Sequence, residues 1–214
     1  MSLWSFIQDR REIIVFEGYQ HFSMVVQSLI LATVIGIVLA ALVYRSRAAA
    51  LATATSAVGL TLPSFALLGF LIAVMGTGVY PPVVALVFYG VLPILRNAVV
   101  GLAGVDPALV DAARGMGMSR LQTLRRIEIP LAWPVILTGV RVSGQMLMGI
   151  GAIAAFVSGP GLGGFIFSGL ARIGGANAVN SVLVGTLGVI VLALVLDALL
   201  VGVRRLTISR GIRV

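Results

Sequence analysis

Residues 22–44, FSMVVQSLILATVIGIVLAALVY, form an unbroken run of uncharged and mostly apolar side chains. A helix needs about 20 such residues to cross a hydrocarbon core about 30 Å thick. Four further windows of this kind follow. They are continuously apolar and do not alternate polar with apolar residues, so they predict membrane-spanning helices and not the strands of a barrel. The five predicted spans are residues 22–44, 55–76, 80–102, 132–157 and 181–203.

Composition supports the same class. Of the 214 residues, 59% are hydrophobic and only 10% are charged, outside the usual balance of a soluble domain. We therefore expect an all-α polytopic membrane protein with one transmembrane domain over residues 1–214. Cysteine is absent, which excludes disulfides, thiol nucleophiles and thiolate metal sites. The single histidine, His21, precedes the first span and is predicted to be a solvated interfacial residue; no metal site is expected.

All 15 basic residues are arginine, and their distribution predicts the orientation of the spans. Cytoplasmic loops carry the excess of positive charge. We therefore expect the N-terminus outside, the C-terminus in the cytoplasm, and the loop between spans three and four in the cytoplasm. Topology then explains most of the net charge of +8, so nucleic acid is not an expected partner, whereas membrane lipid is. The cytoplasmic set is Arg45, Arg47, Arg114, Arg120, Arg125, Arg126, Arg204, Arg205, Arg210 and Arg213, against Arg10, Arg11 and Arg172 outside.

The loop between spans three and four, residues 104–131, is long and charged. Asp106-Pro107 has the pattern of a helix start, with an acidic cap followed by proline at the first helical position. Ser119 and Gln122 have the spacing of a capping box. The loop is thus predicted to form two short capped helices, joined by glycines and followed by the fourth span.

This loop contains a motif with the spacing of the EAA loop. The EAA pattern is E-A-A, then three residues, G, nine further residues and I-x-L-P. The matching positions here are Asp111-Ala112-Ala113, Gly117 and Ile127 to Pro130. The chain therefore resembles the permeases of binding-protein-dependent ABC importers, and its five-span arrangement is similar to that of methionine-importer-type permeases. Asp111 stands where the pattern has Glu, and Ile129 where it has Leu. We call residues 104–131 the coupling loop.

The resemblance implies that the first helix of the coupling loop docks on a cytoplasmic ATPase. It also implies a second permease, either a copy or a paralogue, an extracytoplasmic solute-binding protein, and a location in a bacterial cytoplasmic membrane. The chain has no lysine and so no phosphate-binding loop of the G-x-x-x-x-G-K-[ST] type. ATP is therefore expected on the partner ATPase, and this chain is expected to bind no cofactor and to have no catalytic residue. The implied coupling residues are Asp111, Ala112, Ala113, Arg114, Gly115, Met116, Gly117 and Pro130.

Charged and polar side chains inside the spans are costly and need a partner or water. Arg141 is expected near mid-membrane, where a pore-lining role and an interhelix salt bridge remain alternatives. Asp197 is expected to meet an arginine of the coupling region or of the tail. The predicted translocation path consists of Arg141, Gln145, Asn97 and Ser143.

The outer glycine-rich loop, residues 158–180, is too polar to span and is predicted to form a partly re-entrant or surface structure. The run Ile153–Leu170, IAAFVSGPGLGGFIFSGL, together with Pro93–Asn97, resembles the glycine betaine, carnitine and choline permeases of the family. This resemblance implies inward movement of a compatible solute by ATP-driven alternating access. The sequence shows no obvious aromatic cage for such a solute.

Three alternatives remain. A permease for amino acids or methionine shares every feature of the coupling loop. An intramembrane enzyme needs paired carboxylates, a histidine-rich metal set or an activated nucleophile, none of which the pattern provides. A self-contained secondary transporter or channel has no need for capped cytoplasmic helices.

Overall fold

The computed structural model describes residues 1–208, and all regular secondary structure in that part of the chain is helical. Arg210 and Arg213, assigned above to the cytoplasmic tail, lie outside the described residues. A π-helical segment, Leu124–Glu128, and a 3-10 segment, Ala155–Val157, adjoin the α-helices. The α-helices in chain order are α1 Leu3–Asp9, α2 Arg11–Val43, α3 Ala48–Gly59, α4 Ser64–Met75, α5 Tyr80–Ala103, α6 Pro107–Gly115, α7 Arg120–Thr123, α8 Ile129–Ala154, α9 Gly163–Leu170 and α10 Ala178–Thr207.

Four helical segments are long and apolar enough to cross a membrane: α2, α5, the continuous segment Arg120–Val157, and α10. Helices α3 and α4 meet the same criteria only as a pair, bent by 93°. The described residues thus contain four candidate spans, or five if the bent pair is one span. This is the architecture of an all-α polytopic membrane protein. Helix α2 begins at Arg11 and not at residue 22, and its 33 residues extend about 50 Å, beyond the hydrocarbon core.

The second predicted span, residues 55–76, is wrong as one continuous helix. It breaks between Gly59 and Ser64, where Pro63 has extended backbone angles. Proline lacks an N–H and disfavours a helical conformation of the residue before it, so the chain turns here. The Tyr89 hydroxyl donates to the carbonyl oxygen of Leu62 at 2.7 Å, which satisfies a backbone group that the break leaves free. Non-helical backbone at membrane depth requires hydrogen-bond partners of this kind for its free polar groups.

Helix α5 lies in the main core, packed against α2 and α8. Its contact with α8 is close because Gly139 has no side chain: a Cβ there would lie 2.8 Å from the Asn97 Cβ and 3.0 Å from the Pro93 carbonyl oxygen. The Ser143 hydroxyl, which is fully buried, donates to the Gly90 carbonyl oxygen across the same contact at 2.8 Å. Small residues of this kind let membrane helices approach one another.

The outer glycine-rich loop is partly helical and holds the N-terminal helices. It contains α9, whose Phe165 clusters with the buried Phe6 of α1. The Glu17 carboxylate accepts a hydrogen bond from the Gly161 N–H at 2.8 Å. The prediction of a solvated His21 is wrong: the ring is fully buried, and its Nε2 lies 3.1 Å from the carbonyl oxygen of Met148. The reason is that α2 starts well before His21, so this residue packs against α8 and not at a helix end.

Candidate functional site

The coupling loop begins with the predicted acidic cap. An Asp106 carboxylate oxygen accepts a hydrogen bond from the Ala108 N–H at 2.8 Å, and Pro107 occupies the first position of α6. Carboxylate caps satisfy backbone donors that the first helical turn leaves unpaired. The local start of this helix therefore follows from the sequence.

Helix α6 divides the implied coupling residues between two surfaces. Ala113 has 1% of its surface exposed and packs inside the protomer, together with Val110. Ala113 and Val110 therefore attach α6 to the rest of the chain. The exposed implied residues are Asp111, Ala112, Arg114, Gly115, Met116, Gly117 and Pro130.

The exposed surface of the coupling loop has a mixed character. Asp111 and Arg114 lie one helical turn apart with 3.9 Å between a carboxylate oxygen and a guanidinium nitrogen. Beside them, Leu109 and Met116 expose large apolar side chains, Met116 to 71%. Apolar groups rimmed by charge on an exposed surface are typical of a protein-binding patch.

After α6 the chain reverses at Gly117, whose φ of +83° is a conformation that glycine adopts without strain. The predicted capping box follows: the Ser119 hydroxyl accepts from the Gln122 N–H, and the Gln122 side chain accepts from the Ser119 N–H at 2.8 Å. These two bonds start α7.

The second helix of the coupling loop is not separate from the fourth span, contrary to the prediction. Helix α7 runs through the π-helical segment directly into α8, and Pro130 lies within the first turn of α8. The Ile129 N–H donates to the carbonyl of Leu124, five residues back. The wider π turn lets a proline follow without ending the helix. This part of the coupling loop is therefore one continuous helical segment with α8.

Glu128, which the sequence did not single out, is the buried charge of the coupling loop, with 1% of its side chain exposed. One carboxylate oxygen accepts from the Tyr44 hydroxyl and the other from the Arg45 guanidinium. Burial, and then the hydrogen bond to Glu128, raise the pKa of Tyr44 to about 12. A phenol is protonated at physiological pH even at its ordinary pKa, so Tyr44 is the donor in this bond. The only signal in the sequence was a carboxylate between two isoleucines in an arginine-rich segment.

A second polar cluster lies within the spans. Arg141 of α8 binds Asp197 of α10 through two hydrogen bonds, Nε to Oδ1 at 2.5 Å and Nη2 to Oδ2 at 2.7 Å. The Gln145 amide donates to the same Oδ1 at 3.0 Å. The salt-bridge alternative for Arg141 is therefore what the structure shows. The expectation that Asp197 pairs with an arginine of the coupling loop or of the C-terminal residues is wrong. Helices α8 and α10 pack against each other, and the Asp197 carboxylate binds Arg141 and Gln145 of α8.

Residues 1–208 leave this cluster partly exposed. The side chain of Arg141 is 42% exposed and that of Asp197 22%. Charged groups within spans face protein or water because contact with lipid tails is costly. Of the other predicted path residues, Asn97 is partly buried and donates to the Pro93 carbonyl at 2.8 Å, and Ser143 is buried between α5 and α8.

Phe65 of α4 meets two phenylalanines from much later in the sequence, Phe156 and Phe167, which lie beside and within the outer glycine-rich loop. The Phe65 ring lies 5.2 Å from that of Phe156 and 6.3 Å from that of Phe167, and the latter two are 5.4 Å apart. Phe65 and Phe156 are 45% and 63% exposed. Their faces offer the negative potential to which a cation is attracted. Within residues 1–208, no group of three His, Asp or Glu side chains is placed to hold a metal ion.

Comparison with known proteins gives the family. Residues 32–207 match the model of the binding-protein-dependent transport system inner membrane component family. The choline transport system permease protein OpuBB of Bacillus subtilis is 37% identical over 205 residues, covering 94% of this chain and 92% of that protein. The osmoprotectant import permease protein OsmW of Salmonella typhimurium is 37% identical over 201 residues, covering 91% and 92%.

The fold has a solved counterpart. A chain of the MetNI methionine ABC transporter in an inward-facing conformation superposes with a TM-score of 0.75 at 23% identity, and the match covers 100% of both chains. At this identity the similarity shows the fold alone. The relatives are permease subunits and not enzymes, and they share most of their length with this multi-pass chain. The chain therefore belongs to the family of binding-protein-dependent transport system inner membrane components, and it is a permease subunit of an ABC importer.

Proposed function

We propose that the importer containing this permease moves a compatible solute, such as glycine betaine, carnitine or choline, into the cell. The observation that carries the proposal is the similarity over more than nine-tenths of the chain to permeases whose names specify choline and osmoprotectant import. The cluster of Phe65, Phe156 and Phe167 supports it, since the first two rings are exposed and a quaternary ammonium group is attracted to aromatic faces.

The test is co-purification with the products of neighbouring genes, followed by uptake into proteoliposomes. The solute panel contains radiolabelled glycine betaine, carnitine, choline, methionine and a neutral amino acid. Uptake restricted to quaternary ammonium compounds is expected. Uptake of methionine or another amino acid alone would contradict the proposal and favour the amino-acid alternative.

For the orientation, we propose five spans, with the bent α3–α4 pair as the second, the N-terminus outside and the C-terminus in the cytoplasm. The arginine distribution supports this arrangement. Because the chain lacks cysteine, single substitutions provide a clean test. A membrane-impermeant maleimide should label Ala176→Cys in intact cells and label Ser46→Cys only after lysis. The reverse pattern would overturn the orientation.

We also propose that α6 is the docking helix for the ATPase and that, when two ATPases clamp on ATP, α6 is pulled toward the corresponding helix of a second permease. Leu109, Met116 and the Asp111–Arg114 pair supply the contact surface. The importer then contains two permeases, two ATPases and an external binding protein. The mass of the purified complex distinguishes two copies of this chain from a pair of paralogues.

The coupling variant is Ala112→Arg, which adds a long cation to an exposed position of α6. We expect ATP-driven uptake to be lost while the chain still inserts. Ala48→Glu is the control, because this residue is exposed at the start of α3 and an acidic side chain suits a helix N-terminus. Normal uptake by Ala112→Arg would refute docking through α6.

For the path, we propose that Arg141, Gln145 and Asn97 face the solute route between the two permeases. Partial exposure of the Arg141–Asp197 pair supports this, because such a pair requires water or protein beside it. Ser143, which bonds Gly90, holds the path-forming helices together and does not face the solute.

A further inference from the structure

Three polar side chains join the coupling loop to the first span. None of them is among the coupling residues that the family resemblance implies. Tyr44 and Arg45 follow the last residue of α2, Val43, and both donate to Glu128. Glu128 ends the π-helical segment between α7 and α8. The three residues therefore connect α2 to the point where the coupling loop becomes the fourth span.

We propose that Tyr44, Arg45 and Glu128 form a tie that transmits movement of the coupling loop to α2. Glu128 is a positioning residue in this tie: both of its carboxylate oxygens bind Tyr44 and Arg45, and it sets the position of α2 relative to α7 and α8. The inference rests on the proposed docking of α6, and it adds the route by which the first span follows that docking.

The bonding favours a rigid link. Hydrogen bonds to an ionised group are shorter and roughly twice as strong as neutral ones, and engagement of both carboxylate oxygens fixes orientation as well as distance. The carboxylate is 1% exposed, so water does not compete readily for either oxygen. Breaking one bond leaves a buried charge short of a partner, which is strongly unfavourable.

The tie lies beside an open pocket of about 390 Å³. Its polar lining consists of Asp111 and Arg114 of α6 with Tyr44, Arg45 and Glu128, and its apolar lining consists of Leu102, Ala103, Val105, Pro107 and Val110. The junction between the docking helix and the spans is therefore incompletely filled. Beside this open space, the bonds of Tyr44 and Arg45 to Glu128 add a directional link to the apolar packing of α6, and such a link passes a displacement of the coupling loop on to α2.

The test compares Tyr44→Phe and Glu128→Gln with matched controls that lie elsewhere, Tyr80→Phe and Glu12→Gln, both at exposed positions. Each full chain is assembled with the ATPase and binding protein in proteoliposomes, and glycine betaine or choline uptake is measured alongside ATP hydrolysis. We expect the number of solute molecules moved per ATP to fall about tenfold or more in both tie variants, while ATP hydrolysis and co-purification of the ATPase persist. The double variant should be no worse than the more severe single variant, because both single variants act on the same Tyr44–Glu128 hydrogen bond.

An unchanged ratio of solute to ATP in Tyr44→Phe and Glu128→Gln would overturn the tie. So would a parallel fall of uptake and hydrolysis with loss of the assembled complex in both variants, since that result indicates a purely structural role. Ala112→Arg separates this inference from the docking proposal. If Ala112→Arg leaves uptake unchanged, docking through α6 and the tie both fail; if it abolishes uptake while the tie variants stay coupled, the tie alone fails.

Discussion

The close contact of α5 and α8 makes a quantitative prediction for Gly139→Ala. The new Cβ would lie 2.8 Å from the Asn97 Cβ, 3.0 Å from the Pro93 carbonyl oxygen and 3.1 Å from the Ile94 Cα. These distances are about half an ångström short of ordinary van der Waals contact. Two of the three opposing atoms are backbone, so relief requires the helices to separate.

Overpacking of this kind costs about 1–3 kcal/mol. For a chain of this size each kcal/mol lowers the midpoint of thermal unfolding by about 2–4 °C, so the fall should be about 2–12 °C. The assay is thermal unfolding of the purified permease in detergent. Gly149→Ala in the same helix and Gly202→Ala in α10 are the controls, because a Cβ at either position meets nothing within 4 Å. There, alanine should be neutral or stabilise by up to about 1 kcal/mol, through its higher helix propensity. Equal shifts for all three variants would refute the reasoning that helix contact, and not glycine content, sets the effect.

Three further predictions address the polar cluster, the aromatic cluster and the coupling loop. Asp197→Asn leaves the Arg141 guanidinium without its countercharge, so solute uptake should fall sharply. The double variant Arg141→Gln, Asp197→Asn should transport better than Asp197→Asn alone. Worse transport by the double variant would contradict the interpretation that the two residues act as a simple ion pair. Phe156→Leu should raise the half-saturating concentration for choline about two- to fivefold, the value of one exposed cation–π contact, whereas Phe70→Leu, exposed on α4 outside the cluster, should not. Ser119→Ala removes one bond of the capping box and should weaken the start of α7 by about 1 kcal/mol, seen as about fivefold faster amide exchange at residues 120–123 with exchange in α6 unchanged; uniform exchange would argue against a local cap.

Local features of the coupling loop were predictable because neighbouring residues determine them. The Asp106 cap, the Ser119–Gln122 box and the left-handed turn at Gly117 involve residues within three positions of one another or a single backbone angle. The continuity of α7 with α8 was not predictable. Proline normally indicates a helix start or break, and a π turn that accommodates it depends on how the surrounding helices hold the segment.

The polar residues of the spans also divide into features that local sequence predicts and features that depend on tertiary packing. Gln145 lies four residues after Arg141, and this spacing alone puts both side chains on one face of a helix; both donate to Asp197. The partner itself lies 56 residues further along the chain than Arg141, and no local pattern selects it. His21 was misjudged for a related reason, because the length of a helix beyond its apolar run depends on what it packs against.

By itself, the sequence determined the membrane class, the extents of α5 and α10 within a few residues, and the helix caps of the coupling loop. Hydrophobic burial in lipid and backbone hydrogen bonding act through composition and short spacing, so they can be read from the chain directly. Only the tertiary structure decided that α3 and α4 are separate helices bent by 93°, that Arg141 pairs with Asp197, that three phenylalanines meet, and that Glu128 is held by Tyr44 and Arg45. Each of these depends on which helices are neighbours, and that choice is made by the packing of small and large side chains over the whole bundle.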